Sequence, residues 1–191
     1  MNLGICVGHS RRGSGANDGK GTGDMGAVSL WGESEWDYNS KVAVALKAEL
    51  ENRGISSFIL DDYQASGYST GIRRAARMLR DNGATHTVEL HFNAATPSAN
   101  GAEWLHWHNS RGGKALAQAL HKSFKEEFPE ITDRGLKPRH PGQRGTAFLR
   151  TTHCPAVIVE PFFGSNTRDC QIFRGAEDVL AATYAEGISR L

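Results

Sequence analysis

Three polar side chains stand where predicted buried strands leave the core. His9 follows the first apolar run, His91 ends the third and Glu160 ends the last. In α/β sheets, functional groups gather at the carboxyl ends of the strands. A single histidine at such a position is more often a hydrogen-bonded structural residue. Two histidines and a glutamate together favour a shared crevice.

A second carboxylate, Glu35, is expected at the start of a helix. Ser34 is typical of a helix N-cap with Asp37 three residues further on, so Glu35 falls in the first helical turn. The positive end of the helix favours an ionised carboxylate at this position. For an arbitrary helix, Glu35 would only complement the helix dipole. Beside two histidines, it becomes a candidate metal ligand.

Two imidazoles and one carboxylate form a donor set suited to metal-dependent hydrolysis. Catalytic zinc takes three protein ligands and leaves one position for water. The ion lowers the pKa of that water to roughly 7, and a further carboxylate can accept and return its proton. The ligands lie far apart in the chain, so local spacing alone does not establish the site. The same donors suit several other divalent metals.

Strands alternating with amphipathic stretches must position these groups. Apolar residues recur at helical spacing within 36–53, 71–82, 114–128 and 170–190. The predicted strands are 3–7, 56–60, 85–91, 102–107 and 156–160. This alternation predicts an α/β domain whose largely parallel sheet is covered by helices on both faces.

Composition excludes several other classes of protein. The chain has 191 residues, of which 39% are hydrophobic and 23% charged, which disfavours a disordered chain. The formal net charge of +1 gives no overall field for nucleic acid or anionic lipid. Three cysteines without a C-x-x-C pair argue against a disulfide framework. Residues 10–26, rich in Gly, Ser, Asp and Asn, are expected to form a long functional loop.

No apolar stretch approaches the roughly 18 residues that predict a membrane-spanning helix, so membrane insertion is not expected. The N-terminus has neither a basic n-region nor an extended apolar h-region, which predicts a protein made in the cytoplasm without a signal peptide. A substrate outside the cytoplasm would then require another route of release.

Eight short motifs along nearly the whole chain occur in a specific order. They are Gly8-His9, Asp24-x-Gly26-Ala27, Glu35-x-Asp37-x-Asn39, Leu90-His91-x-Asn93-Ala94, Gly101-Ala102-Glu103, Arg134-Gly135-Leu136-Lys137, Leu149-Arg150-Thr151, and the segment from Pro155 to Asn166. In this order they resemble the zinc-type N-acetylmuramoyl-L-alanine amidases (amidase type 3). That family is shared by bacterial autolysins, cell-division amidases and phage endolysins.

The resemblance assigns a role to each of the four candidate residues. It implies His9, Glu35 and His91 as ligands of one Zn²⁺ per chain, and Glu160 as general base and acid. Glu33 is the rival third ligand. Glu35 is preferred because the spacing to Asp37 and Asn39 in the family motif follows it.

The resemblance also implies a fold and a biological setting. The expected fold is a three-layer α/β/α sandwich with a central, mostly parallel, mixed and twisted sheet. Residues 1–191 are expected to form a single catalytic domain without a separate wall-binding module, acting as a monomer on bacterial peptidoglycan. The missing export signal favours a phage or prophage endolysin that a holin releases to the cell wall.

Three features depart from the family pattern and affect the expected substrate contacts. The loop between His9 and Asp24 is longer than usual. Glu89 stands where the family commonly has a serine. The stretch 137–150 is unusually basic and contains prolines.

Substrate contacts are predicted at Arg150, His140 and Asn93. Arg139, Arg144 and Arg150 could bind peptide-stem carboxylates through bidentate hydrogen bonds, and Arg150 lies nearest to the catalytic strand. His140 belongs to the basic stretch, where a solvated loop residue is the alternative. Asn93 could instead be structural.

Two other functions remain open at this point. The chain could be an inactive amidase domain that binds peptidoglycan without cutting it. It could also be a zinc carboxypeptidase that acts on peptide stems with a similar His, Glu, His set. Nucleic-acid binding is disfavoured because no recognised motif is present.

Overall fold

The computed structural model describes residues 1–11, 24–63, 65 and 67–191, and this part of the chain contains six strands and six helices. In chain order they are β1 (Asn2–Val7), α1 (Glu35–Asn52), β2 (Ser56–Leu60), α2 (Tyr68–Asp81), β3 (His86–Leu90), β4 (Ala102–Trp107), α3 (Arg111–Glu127), β5 (Asp133–Arg139), α4 (Thr146–Thr151), β6 (Ala156–Glu160), α5 (Thr167–Phe173) and α6 (Glu177–Ser189). Most of the predicted loop 10–26 lies outside the described residues.

The sheet has the strand order β2-β1-β3-β6-β4-β5. The neighbours from β2 to β6 run parallel, and the sheet reverses direction only where β6 pairs with β4. β4 and β5 are again parallel to each other. The predicted mostly parallel, mixed sheet is therefore confirmed. Because β1, β3 and β6 are adjacent and parallel, the residues that follow them meet at one edge.

Helices cover both faces of the sheet, as the three-layer prediction requires. On one face, side chains of α1, α3, α5 and α6 pack against alternate strand residues such as Ile5 and Val88. On the other face, α2 and α4 pack against Cys6 and Ile158. This alternation is the period-two pattern of strands buried on both sides. Cys6 is a fully buried free thiol.

The predicted cap of α1 is confirmed. The Ser34 hydroxyl accepts a hydrogen bond from the backbone N–H of Asp37 (3.1 Å) and donates one to its carboxylate (2.6 Å). This N-cap begins the helix at Glu35. The apolar face predicted for α1 is buried at Val42 and Leu46. Because Glu35 at the start of α1 contacts His91, which follows β3, the positive end of the helix faces the carboxyl edge of the sheet.

One prediction of secondary structure was wrong, and two elements were missed. The stretch 170–190 forms two helices instead of one, because the chain turns at Gly175, whose φ is 75°. Strand β5 and helix α4 were not predicted from the basic stretch 137–150. β5 lies at the edge of the sheet and is only partly buried, so it lacks an apolar alternation and tolerates Pro138.

Two predicted helices also begin earlier than expected. α2 begins at Tyr68 and α3 at Arg111, where Ser110 caps the helix by accepting from the backbone N–H of Gly113.

Among the described residues, no helix has both the length and the apolar content that crossing a bilayer requires.

Replacing Leu46 by Ala tests the packing of α1 on the sheet. Leu46 is fully buried in the larger core, so its truncation should lower the free energy of unfolding by about 2–5 kcal/mol. Val44→Ala on the same helix is the matched control, since Val44 is 65% exposed and should change stability by less than about 0.5 kcal/mol. Urea denaturation measures both. Equal losses in the two variants would contradict this packing.

Candidate metal centre

The side chains of His9, Glu35 and His91 converge at the carboxyl edge of the sheet. One donor atom from each lies within 4.8 Å of the others. Glu35 Oε1 is 2.8 Å from His91 Nδ1, and Glu35 Oε2 is 3.2 Å from His9 Nε2. The two imidazole rings meet edge to face, with their centroids 5.0 Å apart. Three residues separated by up to 82 positions thus share one small site.

Glu35 is buried and held on both oxygens. Its Oε2 accepts from the backbone N–H of Ala27 (3.0 Å), and its Oε1 accepts from the backbone N–H of Phe92 (3.1 Å). Burial alone would raise the pKa of Glu35. The close contacts with His9 and His91 outweigh burial and hold the pKa well below its usual range. The carboxylate is therefore ionised, as a metal ligand must be.

His9 has a left-handed backbone, with a φ of 66°, and no other non-glycine residue in the described ranges has a positive φ. Such a conformation costs about 1–3 kcal/mol and is concentrated at functional sites. His9 Nδ1 lies 3.3 Å from Asp24 Oδ1. Burial lowers the pKa of His9, but the contacts with Asp24 and Glu35 raise it more, to about 9.

The ring of His91 packs directly over the backbone of Gly8. A Cβ atom at Gly8 would lie 2.2 Å from His91 Cε1, so only glycine leaves room for this ring. Burial lowers the pKa of His91. The carboxylates of Glu35 and Glu89 reverse that effect and raise the pKa well above its ordinary value.

The donor set fits Zn²⁺. His9 Nε2 is buried and faces Glu35, yet no partner in the described structure is aligned to hydrogen-bond with it. A buried nitrogen without a hydrogen bond, beside an ionised carboxylate and a second imidazole, suits a shared cation. Two imidazoles and one carboxylate are a set that catalytic zinc sites use. The absence of a thiolate also leaves room for other divalent metals.

Glu160 ends β6 and lines the same cavity as His9 and His91, which has a volume of about 350 Å³. Its Oε2 has no hydrogen-bond partner among the described residues, and Arg144 Nη2 lies 3.9 Å from its Oε1. Burial raises the pKa of Glu160 to about 7 despite the nearby His91. A carboxyl group that titrates near neutral pH can both accept and donate a proton.

Glu33, the rival ligand, makes other contacts. Its Oε2 accepts a hydrogen bond from the indole N–H of Trp31 (2.8 Å), and its Oε1 pairs with Lys41. It does not belong to the cluster of candidate metal donors. The geometry therefore favours Glu35 as the acidic member of the set.

The three predicted substrate contacts lie away from this cavity. Asn93 is buried and donates to Glu103 Oε1 (3.2 Å). His140 is exposed and stacks on His108, with ring centroids 4.3 Å apart. Arg150 is exposed near the end of α4. None of the three is among the described residues that line the cavity, so their contact with substrate stays a prediction.

Several other residues line the cavity, and of those named below only Arg144 was a candidate substrate contact from the sequence. An apolar wall is formed by Tyr63, Ile72, Leu105 and Ile158, and Arg144 lies at the same cavity. Glu89 also lines it. The period-two alternation of β3 could have placed Glu89 on the face of His91. Tyr63 follows β2 in a segment whose sequence has no informative pattern.

Comparisons with known proteins identify related sequences and folds. The sequence profile of the family Amidase_3, described as N-acetylmuramoyl-L-alanine amidase, matches residues 5–190. A search of curated protein sequences found no significant match.

Several solved structures share this fold. N-acetylmuramoyl-L-alanine amidase AmiC2 of Nostoc punctiforme superposes with a TM-score of 0.79 at 22% identity, covering 100% of this chain and 96% of that one. The catalytic domain of CwlV from Bacillus (Paenibacillus) polymyxa superposes with a TM-score of 0.78 at 21% identity, covering 100% of this chain and 97% of that one. The catalytic domain of the CD27L endolysin, which targets Clostridia difficile, superposes with a TM-score of 0.79 at 22% identity, covering 100% of this chain and 97% of that one.

Metal binding should release protons from this site. At pH 7 the metal-free protein holds a proton on His9, because pH 7 lies below its pKa of about 9, and His91 is shifted in the same direction. A cation must displace these protons, so Zn²⁺ affinity should rise with pH up to about 9 and fall as the pH is lowered.

Calorimetric titration with Zn²⁺ at pH 7, in buffers of different ionisation enthalpy, measures this release. We expect roughly one to two protons per ion. A heat of binding that is independent of the buffer would mean that no proton leaves, and would contradict these pKa shifts.

Proposed function

The chain belongs to the N-acetylmuramoyl-L-alanine amidase family Amidase_3, and from this membership we propose that His9, Glu35 and His91 hold Zn²⁺ while Glu160 moves the protons of the reaction. Amidases of this kind hydrolyse the amide between N-acetylmuramic acid and L-alanine in peptidoglycan. One observation carries the proposed roles. Three metal donors lie within 4.8 Å of one another, and a buried carboxyl group lines the same cavity.

Contacts within the protein hold the three proposed ligands close together. Glu35 is fixed by two backbone N–H groups, and its two oxygens face the two imidazoles. A bound Zn²⁺ supplies Lewis acidity, which acidifies an attacking water and stabilises negative charge that develops on the substrate carbonyl. Because these contacts restrict the donors, less conformational entropy is lost when an ion binds.

In this proposal Glu160 carries the proton between the two stages of hydrolysis. It accepts a proton as water attacks the lactyl carbonyl carbon. It then gives that proton to the L-alanine nitrogen as the carbon–nitrogen bond breaks. The products are a free lactyl carboxylate and a free amine. The pKa of Glu160, raised to about 7 by burial, allows both transfers at neutral pH. Arg144 lies close enough to favour the ionised form of Glu160.

Glu160→Gln and His91→Ala should separate catalysis from metal binding. Glu160→Gln should keep one Zn²⁺ per chain and lose about 10²–10⁴-fold in rate, because only the proton carrier is removed. His91→Ala should lose both the metal and the activity. His86→Ala, at the opposite end of the same strand, is the matched control and should keep both.

Metal analysis and mass spectrometry of digested peptidoglycan provide the two measurements. An amidase releases peptide stems with a free amine on L-alanine, whereas a carboxypeptidase leaves the sugar–peptide amide intact. Near-normal digestion by Glu160→Gln, or a full zinc content in His91→Ala, would overturn the roles proposed for these residues.

We further propose that the protein is an endolysin-type lytic enzyme in which residues 1–191 form one catalytic domain. The similarity of its fold to an endolysin catalytic domain supports this, although bacterial amidases share the same fold. The proposal requires that the enzyme reach the cell wall through a membrane pore such as a holin.

Expression of the 191-residue chain in bacteria, with and without a holin, tests this setting. We expect a fall in culture turbidity only when the holin is present, together with digestion of purified peptidoglycan by the chain alone. Lysis without the holin would contradict the proposed route of release. Failure to digest purified peptidoglycan would contradict a self-sufficient catalytic domain.

A further inference from the structure

A buried carboxylate that the proposed mechanism does not use lies beside the metal site. Glu89 is 5% exposed and stands two residues before His91, near the end of β3. The alternation of strand residues places both side chains on the same face of the sheet. Glu89 lines the cavity together with His91 and Glu160. A buried carboxylate is costly unless it is paired, so its contacts indicate its role.

Each oxygen of Glu89 has a different partner. Its Oε1 accepts a hydrogen bond from the hydroxyl of Tyr63 (2.8 Å). Its Oε2 lies 3.5 Å from His91 Nε2. Tyr63 is itself 3% exposed, so its hydroxyl is an ordered donor that holds the carboxylate in place.

The imidazole of His91 therefore lies between two carboxylates. Its Nδ1 is 2.8 Å from Glu35 Oε1, on the side of the candidate metal donors. Its Nε2 faces Glu89 on the opposite side. The close packing of the ring over Gly8 restricts its position. Each ring nitrogen thus has a distinct environment, one toward the metal donors and one toward a fixed acceptor.

A histidine that binds a metal through one nitrogen commonly donates its other N–H to a carboxylate. That contact fixes the ring orientation and the tautomer, and it makes the ligating nitrogen more basic. We propose that Glu89, held by the Tyr63 hydroxyl, is a positioning residue that keeps the His91 proton on Nε2 and presents Nδ1 to the metal. The inference rests on the proposed function, because it takes His91 to be a ligand.

Zinc affinity distinguishes positioning from simple packing. Glu89→Leu removes the acceptor and should weaken Zn²⁺ binding by about 10–100-fold in competition with a chelator. Glu89→Gln keeps an accepting oxygen, so its affinity should lie between that of Glu89→Leu and that of the unchanged protein. Tyr63→Phe should weaken binding in the same direction and to a smaller extent.

Glu103→Gln is the matched control. Glu103 is a similarly buried carboxylate on the neighbouring strand β4, and its described partners are Asn93, Arg134 and Arg139. Its replacement should leave Zn²⁺ affinity unchanged. Thermal unfolding of each metal-free variant shows whether the protein is folded. If Glu89→Leu fails to fold, Glu89→Gln and Tyr63→Phe still decide the question.

Nitrogen-15 NMR of the imidazoles in the zinc-loaded protein gives a readout independent of activity. We expect the His91 proton on Nε2. Unchanged zinc affinity in the folded Glu89 and Tyr63 variants, or zinc on Nε2 of His91, would overturn the inference while leaving the amidase mechanism intact. A parent protein that binds no Zn²⁺ would instead overturn the proposed metal site itself, and the role of Glu89 with it.

Discussion

An ionised carboxylate buried between two imidazoles is the interaction on which the site depends. Glu35 would be costly to bury alone, since an unpaired charge away from water is strongly unfavourable. Here two backbone N–H groups and two histidines compensate it. The same contacts hold three donors within 4.8 Å of one another. The contacts that compensate the buried charge therefore also hold the donors of the candidate metal site together.

The topology of the sheet produces this arrangement. β1, β3 and β6 are parallel neighbours, so His9, His91 and Glu160 emerge at one edge, and α1 brings its capped N-terminus to the same edge. The left-handed backbone of His9 indicates that ring placement here is maintained against local strain. Helices packed on both faces of the sheet hold the strands in register, and the strands in turn hold the donors together.

The sequence predicted the elements whose local signals agree with their tertiary role. Apolar runs predict the buried strands that lead to His9, His91 and Glu160. Ser34 predicts the start of α1. Edge strand β5 escaped prediction because a half-exposed strand needs no apolar alternation. The contact between Tyr63 and Glu89 escaped it because the two residues are 26 positions apart and meet only through the fold. Arg144 lines the cavity, whereas Arg150, the substrate contact preferred from the sequence, does not. Arg150 lies on α4, and the charge of a residue does not show which way its helix faces.

X-ray absorption spectroscopy of the zinc-loaded protein tests the central claim most directly. The account predicts a first shell of nitrogen and oxygen atoms at about 2.0–2.2 Å, with the multiple scattering of two imidazoles and no sulfur. Replacing Glu35 by Gln should disturb that shell. A sulfur neighbour at about 2.3 Å, or a spectrum with one imidazole or none, would show that the ion is held elsewhere.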